Sequence, residues 1–122
     1  MENKEDSRPE DIKLERRKFK RINGSYIVSY APIRGEDLKF DVSQTKDLSE
    51  GGLLFISDRK FDKDIILKIK LRLPEFSDYV IVKVQVVDSI QMAKGVICET
   101  RAKFVDIDNN VKEAIKRLVE HG

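Results

Sequence analysis

Between residues 64 and 73 the chain reads DIILKIKLRL, with Ile65, Leu67, Ile69, Leu71 and Leu73 at every second position and Lys68, Lys70 and Arg72 between them. A period of two marks a β-strand with one buried and one wetted face. The segment YVIVKVQVVDSI (79–90) repeats the pattern, with Val80, Val82, Val84 and Val86 on one side. Runs rich in β-branched and aromatic residues predict four more strands: SYIVSYA (25–31), LKFDVSQTKD (38–47), GLLFIS (52–57) and VICETRAKFVDI (96–107). A turn is expected at Arg34-Gly35, and LPEFSD and QMAKG read as hairpin loops.

The period changes near the C-terminus. Val111, Ala114, Ile115, Leu118 and Val119 recur at helical spacing, with Lys112, Lys116 and Arg117 toward solvent. Asp108, Asn109 and Asn110 are candidate N-caps. The pattern therefore predicts a mainly β domain: about six antiparallel strands in a closed or nearly closed barrel, spanning about 22–107, then a helix at about 109–120. Residues 1–15 have few apolar anchors and are expected to form a flexible, charged N-terminal arm.

Charge matters through its placement. The chain of 122 residues carries 24 basic and 22 acidic side chains, net +2, so a general basic field for nucleic acid is absent. Within the arm six acids (Glu2, Glu5, Asp6, Glu10, Asp11, Glu15) face three bases (Lys4, Arg8, Lys13). The next six residues, RRKFKR (16–21), hold five bases and no acid. Such an abrupt reversal of sign predicts a local anion site.

Catalytic groups are scarce. His121 is the lone histidine and the penultimate residue, and Cys98 is the lone cysteine, so zinc ligation and an internal disulfide are both disfavoured. Cys98 lies in an alternating apolar stretch and is expected to be a small buried hydrophobe. No phosphate-loop or nucleophile-elbow motif occurs. The reading is a non-enzyme without metal or cofactor. With no apolar leader and no apolar run of membrane-spanning length, it is expected in the cytoplasm.

Two stretches can carry binding chemistry. In Arg17-Lys-Phe-Lys-Arg21 the two arginines fall on one face of a helix or of an extended segment, so two guanidinium forks can converge on one ligand. Guanidinium pairs with phosphate oxygens, matches the O6/N7 edge of guanine and stacks on bases. A solvated basic run is the simpler reading. In Asp47-Leu-Ser-Glu-Gly-Gly52, Asp47 could accept from guanine N–H donors and Ser49 could donate to phosphate or fix the loop. Gly51 and Gly52 would allow close backbone approach. Here the simpler reading is a tight turn.

Together and in this order, the two stretches resemble the PilZ domain family. Arg17 and Arg21 match its R-x-x-x-R motif, and Asp47, Ser49 and Gly52 match its [D/N]-x-S-x-x-G motif. The flanks ERRKFKRI and TKDLSEGGLLFIS agree, as does AKFVDID before the last helix. The resemblance covers about 15–120, with residues 16–122 as the domain. One departure is Arg101, where many members have glycine three residues before the last-strand phenylalanine, here Phe104. The resemblance implies a six-stranded antiparallel β-barrel that binds the bacterial second messenger cyclic di-GMP. Arg17 and Arg21 would grip phosphate and guanine, Asp47 and Ser49 would contact a guanine and its surroundings, and Gly52 would shape the loop. Arg16, before the first motif, points to two messengers per chain. Ligand binding would draw the arm over the barrel mouth and alter interaction with an effector protein in trans, the chain itself being a monomer or a homodimer. The alternatives are a PilZ-like protein-interaction module without nucleotide, and a small RNA-binding barrel. No DNA partner is expected.

Overall fold

The computed structural model describes residues 21–22, 24–33, 39–92 and 97–121. The expected arm, Arg16, Arg17 and the Arg34-Gly35 turn lie outside these residues. Among the described residues there are seven strands: β1 (Arg21–Ile22), β2 (Ile27–Pro32), β3 (Asp41–Ser49), β4 (Gly52–Ser57), β5 (Ile66–Leu71), β6 (Val80–Met92) and β7 (Ile97–Asp106). One helix, α1 (Asn109–His121), follows. The strands are ordered β1-β3-β2-β5-β6-β7-β4, and a further β3–β4 pairing closes all but β1 into a ring. Every pairing is antiparallel. The ring is a six-stranded barrel, with β1 as a two-residue extra strand on β3.

Alternation along the strands fills the interior. Leu67, Ile69 and Leu71 of β5 and Val82, Val84 and Val86 of β6 are buried, together with Val28, Tyr30 and Phe55. Each such side chain removes apolar surface worth about 1.5–3 kcal/mol from water. Cys98 is buried and free, in keeping with its apolar surroundings. β6 runs to Met92, so Gln91 and Met92 of the expected QMAKG loop are strand residues.

Three register shifts interrupt the ladders, one between β3 and β4 and two between β6 and β7; two of them reset which side faces inward on β3 and β6, and the sequence alternation gives no sign of those two. In β3 the register shifts between Thr45 and Asp47, so that Thr45 and Leu48, three apart, are both buried. In β6 it shifts between Val86 and Asp88, so Ser89 turns inward after Val86. Thr45 also joins β1 to β2. Its hydroxyl donates to Gly24 O at 2.9 Å and accepts from Tyr26 N–H at 3.0 Å, while its own N–H donates to Tyr26 O. Gly24 and Tyr26 are thus held against β3 by one residue, through its side chain and its backbone.

The helix begins where Asp108 Oδ1 accepts from Asn110 N–H at 2.8 Å, which makes Asp108 the cap among the three candidates. Val111, Ala114 and Ile115 face the core, and the helix packs against β1 and β3. Arg117 reaches Glu75 of the β5–β6 connection with two nitrogens, at 2.7 and 2.8 Å. Arg117 is the first cause of the lowered Glu75 pKa, by hydrogen bonding.

Candidate functional site

The candidate site forms where β1 meets the β3–β4 turn. Arg21 stands directly opposite Ser49 in the β1–β3 ladder, and Ile22 opposite Leu48. The second arginine of R-x-x-x-R and the serine of D-x-S-x-x-G, far apart in sequence, are therefore adjacent backbone partners. Arg21 lies within β1, at the start of the expected barrel span of about 22–107. Only the backbone placement of Arg21 is described; Arg16 and Arg17 lie outside.

The bulge in β3 decides the aim of the acidic residue. Continued alternation from Thr45 would send Asp47 and Ser49 into the apolar interior. The extra residue at Lys46–Asp47 puts Leu48 inside instead and turns Asp47 and Ser49 to the other side together. Asp47 is half-buried, with Oδ1 shielded from solvent. It pairs in register with Leu54 of β4.

The turn is held by its own polar atoms. The Ser49 hydroxyl accepts from Gly51 N–H at 3.1 Å and donates to Gly52 O at 3.3 Å. Gly51 O accepts from Phe104 N–H at 2.9 Å, which fastens the turn to β7. A Cβ on Gly52 would lie 2.1 Å from Ala102 O and 2.9 Å from Lys103 Cα. The close approach that Gly52 permits is therefore made by the backbone of β7. Ser49 fixes the loop, one of its two expected roles. Arg101, the departure from the family pattern, sits in the β7 ladder opposite Leu54 and Asp88, beside the β6 bulge.

At the opposite end of the barrel the polar side chains bond mainly to one another. Phe61 N–H donates to Ser89 Oγ at 3.1 Å, and Ser57 Oγ donates to Arg59 O at 2.7 Å. Thr100 Oγ1 lies between them, 2.8 Å from Ser89 Oγ and 2.9 Å from Ser57 Oγ. With both ends fixed, each hydroxyl proton has one direction, from Ser89 to Thr100 to Ser57. Nearby, the Tyr30 hydroxyl donates to Asp58 Oδ1 and accepts from Asp58 N–H, both at 2.9 Å. Burial, with help from the Asp58 carboxylate, pushes the Tyr30 pKa up to about 12. Sequence reasoning missed these hydroxyl contacts and the role of Thr45. Serine and threonine within strands carry no signal of which partners the barrel brings to them.

Among the described residues no group of three His, Cys, Asp or Glu side chains can hold a metal, and no helix is long and apolar enough to cross a membrane.

A six-stranded antiparallel barrel, a capped C-terminal helix and a D-x-S-x-x-G turn set against an arginine-bearing first strand define a class of small β-barrel domain. The chain belongs to the PilZ domain family, whose model matches residues 15–121. Comparison with curated proteins finds no match. Among solved structures the chain is similar to the Bacillus subtilis inhibitor of motility MotI/DgrA, at TM-score 0.72 and 16% identity, over 86% of this chain and 50% of that one. It is similar to the PilZ domain of YcgR from Escherichia coli, solved with c-di-GMP, at TM-score 0.61 and 15% identity, over 86% of this chain and 89% of that one. It is also similar to the K. pneumonia MrkH–c-di-GMP complex, at TM-score 0.66 and 16% identity, over 86% and 50% of the two chains. The chain thus spans about half the length of MotI/DgrA and of MrkH. At these identities the likeness concerns the fold.

Proposed function

We propose that the chain is a bacterial, cytoplasmic cyclic di-GMP receptor that acts on a partner protein in trans. The observation that supports this reading is the pairing of Arg21 with Ser49, which sets the backbone of one motif arginine beside the serine of the other motif. YcgR and MrkH, whose fold it shares, were solved with the same ligand. In this reading Arg17 and Arg21 bind phosphate and guanine, and Asp47 accepts from guanine N–H donors. Ser49, Gly51 and Gly52 keep the turn in shape, and Arg16 assists a second messenger. The cluster of like charges at 16–21 is neutralised by the dianion, which draws residues 1–15 over the mouth and changes the surface offered to the partner. The role is binding, not catalysis.

One observation favours a second reading, a PilZ module that binds protein without nucleotide. Ser49 and Gly52 both serve the turn itself, through the loop hydrogen bonds and the contact with Ala102. Their presence is explained without a ligand, so the arginines decide between the readings.

Calorimetric titration of cyclic di-GMP into the protein and into Arg21→Ala, with GTP and a short RNA as controls, tests this directly. Saturable binding lost in the variant is expected, with a midpoint at two ligands per chain. Absence of heat, together with unchanged amide resonances over Asp47–Gly52, would leave the protein-interaction reading.

A further inference from the structure

The outer wall formed by β3, β2, β5 and β6 carries large apolar side chains in water. Cross-strand register aligns Val42, Ser29, Lys70 and Ile81 in one row across all four strands. Val42 is 74% exposed, Ile81 50%, and Ile27 and Tyr79, also on this wall, 58% and 42%. Apolar side chains grouped on one exposed face mark an interaction surface.

The same wall carries four cations. Lys68 and Lys70 share the outward face of β5, Arg72 follows just past its end, and Lys83 of β6 stands directly opposite Lys68. Like charges in direct register are destabilising. The ion pairs of the described surface include none of Lys68, Lys70 and Lys83, and Arg72 meets Asp78 only at 3.8 Å. Asp106, across from Lys83 on β7, marks the border of the wall. Lys70 Nζ is held between two rings, 4.1 Å above Phe40 and 5.0 Å from Tyr79.

Lys83 also stands at the rim of a cleft of about 640 Å³. Its floor is apolar, built from Ile33, Phe61, Ile65 and Ile66, and Arg59 is the other cation on its rim. The cleft lies at the end of the barrel away from the β3–β4 turn, beside the hydroxyl chain that holds Arg59 and Phe61.

We infer that this wall and its cleft form the docking face for the partner, and that the partner presents an acidic, amphipathic segment with a large apolar anchor. The anchor fills the cleft, and carboxylates line up over Lys68, Lys83 and Lys70. This rests on the reading of the chain as acting in trans. Both sheet edges of β2 and β5 are already paired, so the partner meets side chains and adds no strand there. The exposed aliphatics gain nothing from phosphates, and the Phe40 and Tyr79 rings are turned to Lys70, which argues against nucleic acid. A bilayer favours apolar groups projecting together from a tip, whereas these are spread across adjacent strands on one flank.

The test uses ¹⁵N-labelled full chain and a synthetic helical peptide with Phe and Leu on one face and Glu on the other. Its Gln counterpart, phosphatidylglycerol vesicles and oligouridine are run in parallel. Amide shifts at Ile27, Val42, Lys70 and Ile81 are expected. Binding should weaken about tenfold or more for the Gln peptide and for Lys68→Glu with Lys83→Glu. Val42→Ser with Ile81→Ser, both at exposed sites, should weaken it similarly. Each variant must retain the wild-type spectrum dispersion and response to cyclic di-GMP. Peptide shifts elsewhere, no peptide binding, or tighter binding of vesicles or oligouridine would overturn the proposal. Peptide binding by a chain that ignores cyclic di-GMP would remove the receptor reading and leave the docking face standing.

Discussion

β4 connects two ends of the barrel that use polar groups in opposite ways. At its far end, beyond Ser57, the polar atoms are spent on one another: Phe61 N–H, three hydroxyls and Arg59 O form one chain, and Tyr30 and Asp58 exchange two hydrogen bonds. At its near end, before Gly52, a bulge turns Asp47 and Ser49 out of the core beside the backbone of Arg21. Buried polar groups with partners inside specify a fold, while polar groups turned outward around a basic strand can specify a ligand. Stability should therefore respond most to changes at the far end, and ligand binding to changes at the near end.

Gly52→Ala is the strongest challenge to that division, because the near end contains one rigid contact. The new Cβ would meet Ala102 O, and backbone atoms cannot yield as a flexible side chain can. A loss of roughly 2–3 kcal/mol is expected, read as a lower urea midpoint. An unchanged midpoint would mean that β4 and β7 separate freely there. At the far end, Thr100→Val keeps shape but leaves Ser57 and Ser89 each short of a hydroxyl neighbour. It should cost about 2 kcal/mol with no change in cyclic di-GMP affinity. An affinity change would show that the two ends are coupled.

Tyr30→Phe sharpens the comparison through pH. The folded Tyr30 pKa is raised to about 12, so the folded state holds the phenolic proton more tightly than the unfolded chain does. Wild-type stability should be unaffected by this group below about pH 10 and should fall between about pH 10 and 12, by roughly 2–3 kcal/mol. The Phe variant should be about 1 kcal/mol less stable at neutral pH and lack that alkaline fall. Denaturation midpoints across pH that run parallel for both proteins would refute this. Ser49→Ala should change stability by less than about 1 kcal/mol, since both its bonds are local and partly exposed, while weakening cyclic di-GMP binding in calorimetry about tenfold. Arg117→Ala should have the smallest effect, on a solvent-exposed pair. Its contribution is present at neutral pH and lost as acid protonates Glu75, so wild type and variant should converge in acid titrations of stability.

Alternation made the ring legible because its aliphatics sit at every second position of β5 and β6, and helical spacing did the same for α1. The bulges were not legible. One extra residue at Lys46 or Val87 leaves no compositional trace, yet it decides whether Asp47 or Leu48 enters the core and whether Ser89 follows Val86 inward. β1 escaped notice because two residues show no period. The candidate binding residues stood out as motifs, and the duties of Ser49 and Gly52 within the turn appeared only with the ladder to β7. The Phe40–Lys70–Tyr79 cluster draws on three separate segments, and only the strand register brings them together.

The pairing of β3 with β4 has a kinetic side. It is a short hairpin, whereas β2 must find β5 with Val28 opposite Leu71, and β4 must find β7 with Gly52 opposite Lys103. Loop-closure entropy favours the hairpin first, on a time scale of about 1–10 μs, and delays the distant ladders. The turn assigned to the messenger would then be among the earliest ordered parts of the chain, the template on which the rest of the barrel is assembled. Leu48→Ala should accordingly slow folding more than it speeds unfolding in stopped-flow chevrons, and the reverse would place the nucleus elsewhere.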